Sequence, residues 1–251
     1  MEEIYLKGDS EIKIMAEGGK KLARIKDKLR EETKEGVKAS EIESLAQELI
    51  KKEGAKPSFA MVPGYSWATC VNVNSGLVHG IPKESIVFKK GDVVSVDVGI
   101  YYKGFHTDTS FTVGIKVTPE VKKFLDCGQL ALRQAITKAR AGARIYDISE
   151  AIEDTVKAQG FSPVKALVGH GVGKALHEGP QIPCFTMGVR EKSPEIVAGM
   201  VLAIEVMYAQ GSPEVETASD GWTISMRDDK ISALYEETVA INRHGPFVLT
   251  E

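Results

Sequence analysis

Apolar residues recur early in the chain at helical spacings of three, four and seven: Met15, Leu22, Ile25 and Leu29, then Ile42, Leu45 and Leu49. Each set lies on one stripe of a 3.6-residue helix, which predicts two amphipathic helices. Asp9 or Ser10 is the candidate cap of the first, which should end near Gly36. Ser40 to Glu43 reads as a capping box for the second, stopped at Gly54. The period then falls to two. Extended runs at 58–62, 69–74 and 86–89 lead into 93–100, where Val94, Val96, Val98 and Ile100 alternate with Val93, Ser95, Asp97 and Gly99. A reversal centred on Tyr102-Lys103, with Gly104 easing the bend, places Asp97 directly opposite Asp108 in the return strand.

The second half repeats the sequence of elements. Thr118-Pro119 supplies a cap and a first-turn proline for a helix striped by Val121, Leu125, Leu132, Ile136 and Ala139 and ending at Gly142. Asp147 to Glu150 caps another, carrying Ile148, Ile152 and Val156 and ended by Gly160; strands are predicted at 201–208, 222–226 and 231–241. Capping boxes at Ser40 and Asp147, stopping glycines at Gly54 and Gly160, and strand-opening glycines at Gly91 and Gly199 all lie 106 to 108 residues apart. This predicts an α+β fold in one domain, 1–251, built of two helix-helix-sheet halves, about 1–116 and 117–251, around a pseudo-twofold. The second hairpin region is the longer. The same offset carries Asp97 onto Glu205, in the apolar run Met200 to Met207, where an acid is seldom left unpaired.

Composition narrows the function without naming it. The 251 residues are 43% apolar and 27% charged, as in an ordinary globular chain, and 32 basic against 35 acidic residues leave a net charge of -3. That balance gives no general drive toward nucleic acid or an anionic membrane, and the Lys-rich run from Lys20 to Lys38 reads as the wet face of a helix. No apolar run approaches the roughly 20 residues of a membrane helix, and Met1-Glu2-Glu3-Ile4 lacks the basic start of a secretion signal. A cytoplasmic protein is expected. Cys70, Cys127 and Cys184 are far apart with no paired spacing, so they read as reduced thiols.

Two carboxylates facing each other in an apolar sheet repel unless a proton or a cation lies between them. A cation accounts for more of the sequence. A further acid comes from the alternating run 233–241, where the neighbours Glu236 and Glu237 must point to opposite faces, so that only one can turn inward. His170 stands in Gly169-His170-Gly171-Val172-Gly173, with His177 seven residues on and His79 earlier. A lone histidine is more often structural than a ligand. Four carboxylates with one imidazole form a hard, oxygen-rich set suited to Mn, Fe(II), Co or Zn rather than a structural zinc cluster. Two bridging acids would suit a pair of ions about 3.5 to 4 Å apart.

The order Asp97, Asp108, His170, Glu205, Glu236 resembles the five-ligand pattern of the "pita-bread" metallopeptidases. His79-Gly80-Ile81-Pro82, Gly169 to Gly173, His177-Glu178, Asp220-Gly221-Trp222 and Tyr235-Glu236 are most similar to the type I methionine aminopeptidases, over nearly the whole chain. The resemblance implies the pita-bread fold, two divalent ions per chain and hydrolytic removal of the initiator methionine from nascent polypeptide N-termini, the ribosome being one place of encounter. It also implies Glu236, not Glu237, as the ligand, with Asp108 and Glu236 bridging, Asp97 on one ion and His170 and Glu205 on the other. By the same resemblance Glu205 shuttles a proton, His79 and His177 bond the substrate amide and oxyanion, and Tyr65, Cys70, Leu176 and Trp222 line the methionine pocket. A monomer is expected. Leu176, Glu237 and Ser75-Gly76 depart from the usual pattern at positions that are not ligands. The alternatives are an Xaa-Pro aminopeptidase or dipeptidase, which shares the ligands but usually has a further N-terminal domain, and a metal-free binding protein on this scaffold, which would be expected to have lost ligands. No stretch between His177 and Glu205 could hold the inserted subdomain of type II enzymes.

Overall fold

Helix α1 (Asp9–Glu32) buries Met15, Leu22, Ile25 and Leu29, the predicted stripe. In the computed structural model, which describes residues 4–251, its entrance is closed by the Glu11 carboxylate, which accepts the Gly8 N–H at 3.0 Å; neither Asp9 nor Ser10 is the cap. Met1-Glu2-Glu3 of the acidic start lies outside the described residues. Helix α2 (Ala39–Lys52) begins before the predicted box, and Glu41 accepts the Lys38 N–H at 2.7 Å. Glu43 is instead buried, accepting the N–H groups of Ala68 and Thr69 at 2.8 and 2.9 Å and the Thr69 hydroxyl at 2.6 Å. A carboxylate one turn into the helix found buried donors from a distant loop, which local sequence does not display.

The strands of this half are β1 (Lys56–Pro57), β2 (Thr69–Val73), β3 (Gly76–Val78), β4 (Val93–Tyr102) and β5 (Phe105–Gly114). Phe59–Met61 forms a single 3-10 turn rather than an extended run, with Phe59 tucked inward, and 86–89 contributes only one bridge, Val87 to Lys38. The second half holds α3 (Pro119–Lys138), α4 (Ile145–Ala158), β6 (Ser162–Pro163), β7 (Val168–Gly171), β8 (Glu178–Pro183), β9 (Val201–Ala209), β10 (Val215–Thr217), β11 (Ile224–Met226), β12 (Ser232–Asn242) and β13 (Gly245–Val248). Thr118 caps α3 as predicted, its hydroxyl accepting the Val121 N–H at 3.4 Å. Helix α4 starts at Ile145, with Asp147 accepting the Arg144 N–H at 2.8 Å, so the predicted box at Asp147 lies inside the helix.

The large sheet runs β1-β4-β5-β12-β9-β7-β8, entirely antiparallel, with β2 added to β4, β6 to β9 and β13 to β12; β10, β11 and β3 form a small second sheet. Helix α1 packs on β4 and β5, and α3 on β9 and β12. The parts of the sheet covered by α1 and by α3 meet at the β5–β12 pairing. Val94, Val96, Val98 and Ile100 face the first helix pair and Leu202, Ile204 and Val206 lie in the second core, each fully buried. Burial of such a side chain contributes about 1.5 to 3 kcal/mol. The opposite face carries Asp97, Asp108, Glu205 and Glu236 among smaller and apolar residues.

The hairpin joining β4 and β5 turns one residue later than predicted. Lys103 and Gly104 have φ of 48° and 95°, the left-handed pair that a two-residue hairpin loop requires, so Tyr102 pairs with Phe105. Asp97 consequently faces Ser110, and Asp108 faces Gly99. The register differs from expectation by two residues, which preserves the face, so the acids become diagonal neighbours rather than directly opposed ones.

Candidate metal centre

Five consecutive strands of the sheet, β4, β5, β12, β9 and β7, each supply one of the predicted ligands: Asp97, Asp108, Glu236, Glu205 and His170. Register arranges them in two adjacent rows. Cys70, Asp97, Ser110, Glu236 and Glu205 are successive cross-strand partners. One row over, Gly99 pairs with Asp108, and Thr238 and His170 both pair with Ala203. Small residues at 99 and 203 leave space between the large ligands; a Cβ on Gly99 would lie 3.0 Å from Asp108 Oδ1.

Asp108, His170 and Glu236 each present a donor atom within 4.8 Å of the others. Glu205 Oε1 approaches His170 Nε2 at 3.5 Å, and Asp97 and Asp108 are diagonal neighbours across the β4–β5 pair. His170 Nδ1 donates to the Gly171 carbonyl at 2.8 Å, which leaves the Nε2 lone pair toward the acids. Burial pushes all four carboxyls upward in the metal-free protein, Asp108 to about 7; neighbouring acids add to the rise at Asp97, Glu205 and Glu236. Burial, then the nearby His177, lowers His170 to about 3, so its imidazole is neutral. Asp97 Oδ1, Ser110 Oγ and Glu236 Oε1 are buried without a hydrogen-bond partner. Orphaned carboxylate oxygens beside a neutral imidazole are what a divalent cation would satisfy.

The acids border a cavity of about 230 Å³ that also collects every other residue singled out from the sequence: Tyr65, Cys70, His79, Leu176, His177 and Trp222. The His177 ring stands edge-on to His170 with centroids 4.5 Å apart. Its loop is tied down by Glu178, which accepts the Ala175 N–H at 3.1 Å and pairs with buried Lys7 at 2.5 Å. His79 has a φ of 57°, followed by Gly80, where the backbone passes so close to Val71 that no Cβ fits. Burial and the neighbouring His177 lower the His79 pKa; burial lowers that of His177. On the apolar side, Tyr65 donates to the Thr69 carbonyl at 2.9 Å and meets Trp222 edge-on at 5.1 Å. Asp220 holds the Trp222 and Thr223 N–H groups at 3.1 and 2.9 Å and the Lys83 ammonium at 2.9 Å, tying two loops together.

Sequence reasoning missed Phe59, Val62 and Val78 in the cavity wall, since isolated apolar residues carry no chemical signal. It also passed over His106, on the same strand face as Asp108. That ring hydrogen-bonds Ser58 Oγ at 2.9 Å, packs on Tyr101, and has its pKa lowered to about 4 by burial.

Residues 13–243 match the metallopeptidase family M24. The chain belongs to this family. As an M24 metallopeptidase with this donor cluster, it uses divalent metal. It is 41% identical to a methionine aminopeptidase of Clostridium perfringens, over 98% of both chains, and 40% identical to methionine aminopeptidase 1 of Bacillus subtilis, over 98% of this chain and 99% of that one. The crystal structure of a methionine aminopeptidase from Thermotoga maritima superposes with a TM-score of 0.96 at 38% identity, covering 99% of this chain and 100% of that one. A prolidase from Pyrococcus furiosus shares the fold, with a TM-score of 0.79 at 22% identity, and matches over 65% of its own length. These likenesses place the M24 chain in the pita-bread fold.

Proposed function

We infer that this protein is a methionine aminopeptidase, a metal-dependent hydrolase that removes the initiator methionine from polypeptide N-termini. The observation that carries the reading is the junction of two unlike surfaces in one cavity. Five ligand-type side chains close one side, and Tyr65, Cys70, Leu176 and Trp222 form an apolar wall against them. Full-length likeness to methionine aminopeptidases supports the same substrate.

Two ions of Mn, Fe(II), Co or Zn would be held by Asp97, Asp108, His170, Glu205 and Glu236. Bound there, divalent metal supplies positive charge that polarises the scissile carbonyl and acidifies water. The remaining work falls to side chains. Glu205 accepts the water proton and passes it to the leaving amine. His79 and His177, kept neutral by burial, donate hydrogen bonds to the substrate amide and to the oxyanion that develops from the carbonyl. The apolar wall takes the methionine side chain and excludes water.

In this proposal the whole chain is one catalytic domain acting as a monomer on nascent chains in the cytoplasm, the ribosome being one place of encounter. An Xaa-Pro enzyme is the competing activity, and the prolidase likeness extends to fold alone. The test is a panel of Met-Ala, Met-Lys, Leu-Ala and Ala-Pro peptides, with each metal and with chelator. Metal-dependent release of Met from Met-Ala, and little from Met-Lys, is expected. Equal rates on Met-Ala and Met-Lys would overturn the specificity, and faster hydrolysis of Ala-Pro would transfer the protein to the Xaa-Pro class.

A further inference from the structure

Beside Glu236, strand alternation turns Glu237 away from the cavity, toward α1 and the C-terminal residues. One of its carboxylate oxygens meets Lys26 Nζ at 2.5 Å. The other accepts from Thr250 Oγ1 at 2.5 Å and lies 3.1 Å from Thr109 Oγ1. Lys26 is almost fully buried at 4% exposure, and a buried ion pair is weak as a source of stability, because desolvation offsets its attraction. Its surroundings lead to the metal ligands.

Thr109 Oγ1 donates to the main-chain carbonyl of Glu236 at 2.8 Å, and Thr109 N–H donates to Asp108 Oδ1 at 3.1 Å. Thr250 Oγ1 accepts the Thr238 N–H at 3.0 Å, while the Thr238 hydroxyl accepts the Asp108 N–H at 2.9 Å and donates to the Asp108 carbonyl at 2.7 Å. Glu237 is thus linked to Glu236 and Asp108 through Thr109 on one side, and to Asp108 again through Thr250 and Thr238 on the other. The C-terminal segment is built into this arrangement. Leu249 and Thr250 are buried, Leu249 N–H donates to the Thr238 carbonyl at 2.8 Å, and the Leu249 carbonyl passes so near Gly19 of α1 that a Cβ there would overlap it.

We propose that Lys26, Glu237 and Thr250 are positioning residues that fix Glu236 and Asp108 from behind and so set the affinity for divalent metal; this rests on the metal-site reading above. Ligands already held in place lose less freedom on binding, and removing partners outside the ligand set typically weakens metal affinity roughly 10- to 100-fold. A pair serving stability alone would leave affinity untouched.

The experiment measures Mn(II) affinity of the full chain by competition with a chelator, alongside urea unfolding of the metal-free protein. The double variant Lys26→Met/Glu237→Leu removes both charges together, so that neither is left buried and unpaired. Its affinity is expected to fall roughly 10- to 100-fold, with Thr250→Val weakening binding in the same direction. A folded double variant that binds Mn(II) within about twofold of wild type overturns the proposal. Should the double variant not fold, Thr250→Val decides: unchanged affinity refutes the network and weakened affinity supports it. Wild-type protein that binds no Mn(II) would bring down the metal-site reading itself, an outcome distinct from failure of the network alone.

Discussion

Chelation should leave a protein that loses stability as pH rises above neutrality. Asp108 and Glu236 are buried, Asp97 and Glu205 largely so, and all four have raised pKa values, whereas unfolded aspartate and glutamate ionise near 4. The metal-free folded state therefore keeps protons that the unfolded state has released, and its stability falls with pH. Buried histidines oppose this below about pH 6.5, because His106 and His170, lowered to about 4 and about 3, stay neutral in the fold while unfolded histidine takes up a proton. Above pH 6.5 that opposition ends. Each carboxyl that remains protonated from pH 6.5 to 8 then costs about 1.36 kcal/mol per pH unit, or about 2 kcal/mol over the interval. For a chain of this size that lowers Tm by about 4 to 8 °C per retained proton. Metal replaces those protons, so the loaded protein should melt at nearly constant temperature over the same interval, and the gain in Tm on adding Mn(II) should widen with pH. Calorimetric scans with and without chelator at pH 6.5, 7.25 and 8 measure this. A chelated protein whose Tm is flat or rising across the interval would refute the reasoning, since it would show that the acids are already ionised without metal.

Asp97→Asn or Asp108→Asn should reduce bound metal and lower activity by more than about a hundredfold, because an amide brings no charge to offset the cations; metal analysis of purified variants checks it, and full activity with full metal in either would remove that acid from the site. His177→Ala should lower kcat by roughly 10² to 10³ with metal content near wild type, as for loss of an oxyanion donor. A lowered melting temperature with unchanged kcat would instead make His177 a loop-holding residue. Glu43→Ala strands the N–H groups of Ala68 and Thr69, at about 1 to 3 kcal/mol each. Urea unfolding should show a loss of about 2 to 6 kcal/mol, with Mn(II) affinity of the folded protein unchanged.

Much of this protein is written in local chemistry. Period-two alternation puts Glu236 and Glu237 on opposite faces, because side chains on a pleated strand have no third direction, and the face predicted to be shared by Asp97 and Asp108 survived a register two residues away from the expected one. The helical stripe at Met15 to Leu29 was equally legible, as was the near-constant offset that relates Asp97 to Glu205, whereas the buried face of the second helix centres on Ile42, Ala46 and Ile50 and leaves Leu45 and Leu49 at its margin. Tertiary structure decided whatever depended on a partner far along the chain. Glu43 left its apparent capping role because buried donors at Ala68 and Thr69 lie within reach only after α2 docks. The inward choice between Glu236 and Glu237 is settled by which face β12 presents to β5 and β9, and the partners that hold Glu237, Lys26 and Thr250, come from opposite ends of the chain. Alternation and periodicity are set by neighbours a few bonds away, so they can be read from residues in order. Register, the partners of buried charges and the convergence of five strands on one cavity arise from packing, which no local stretch of sequence contains.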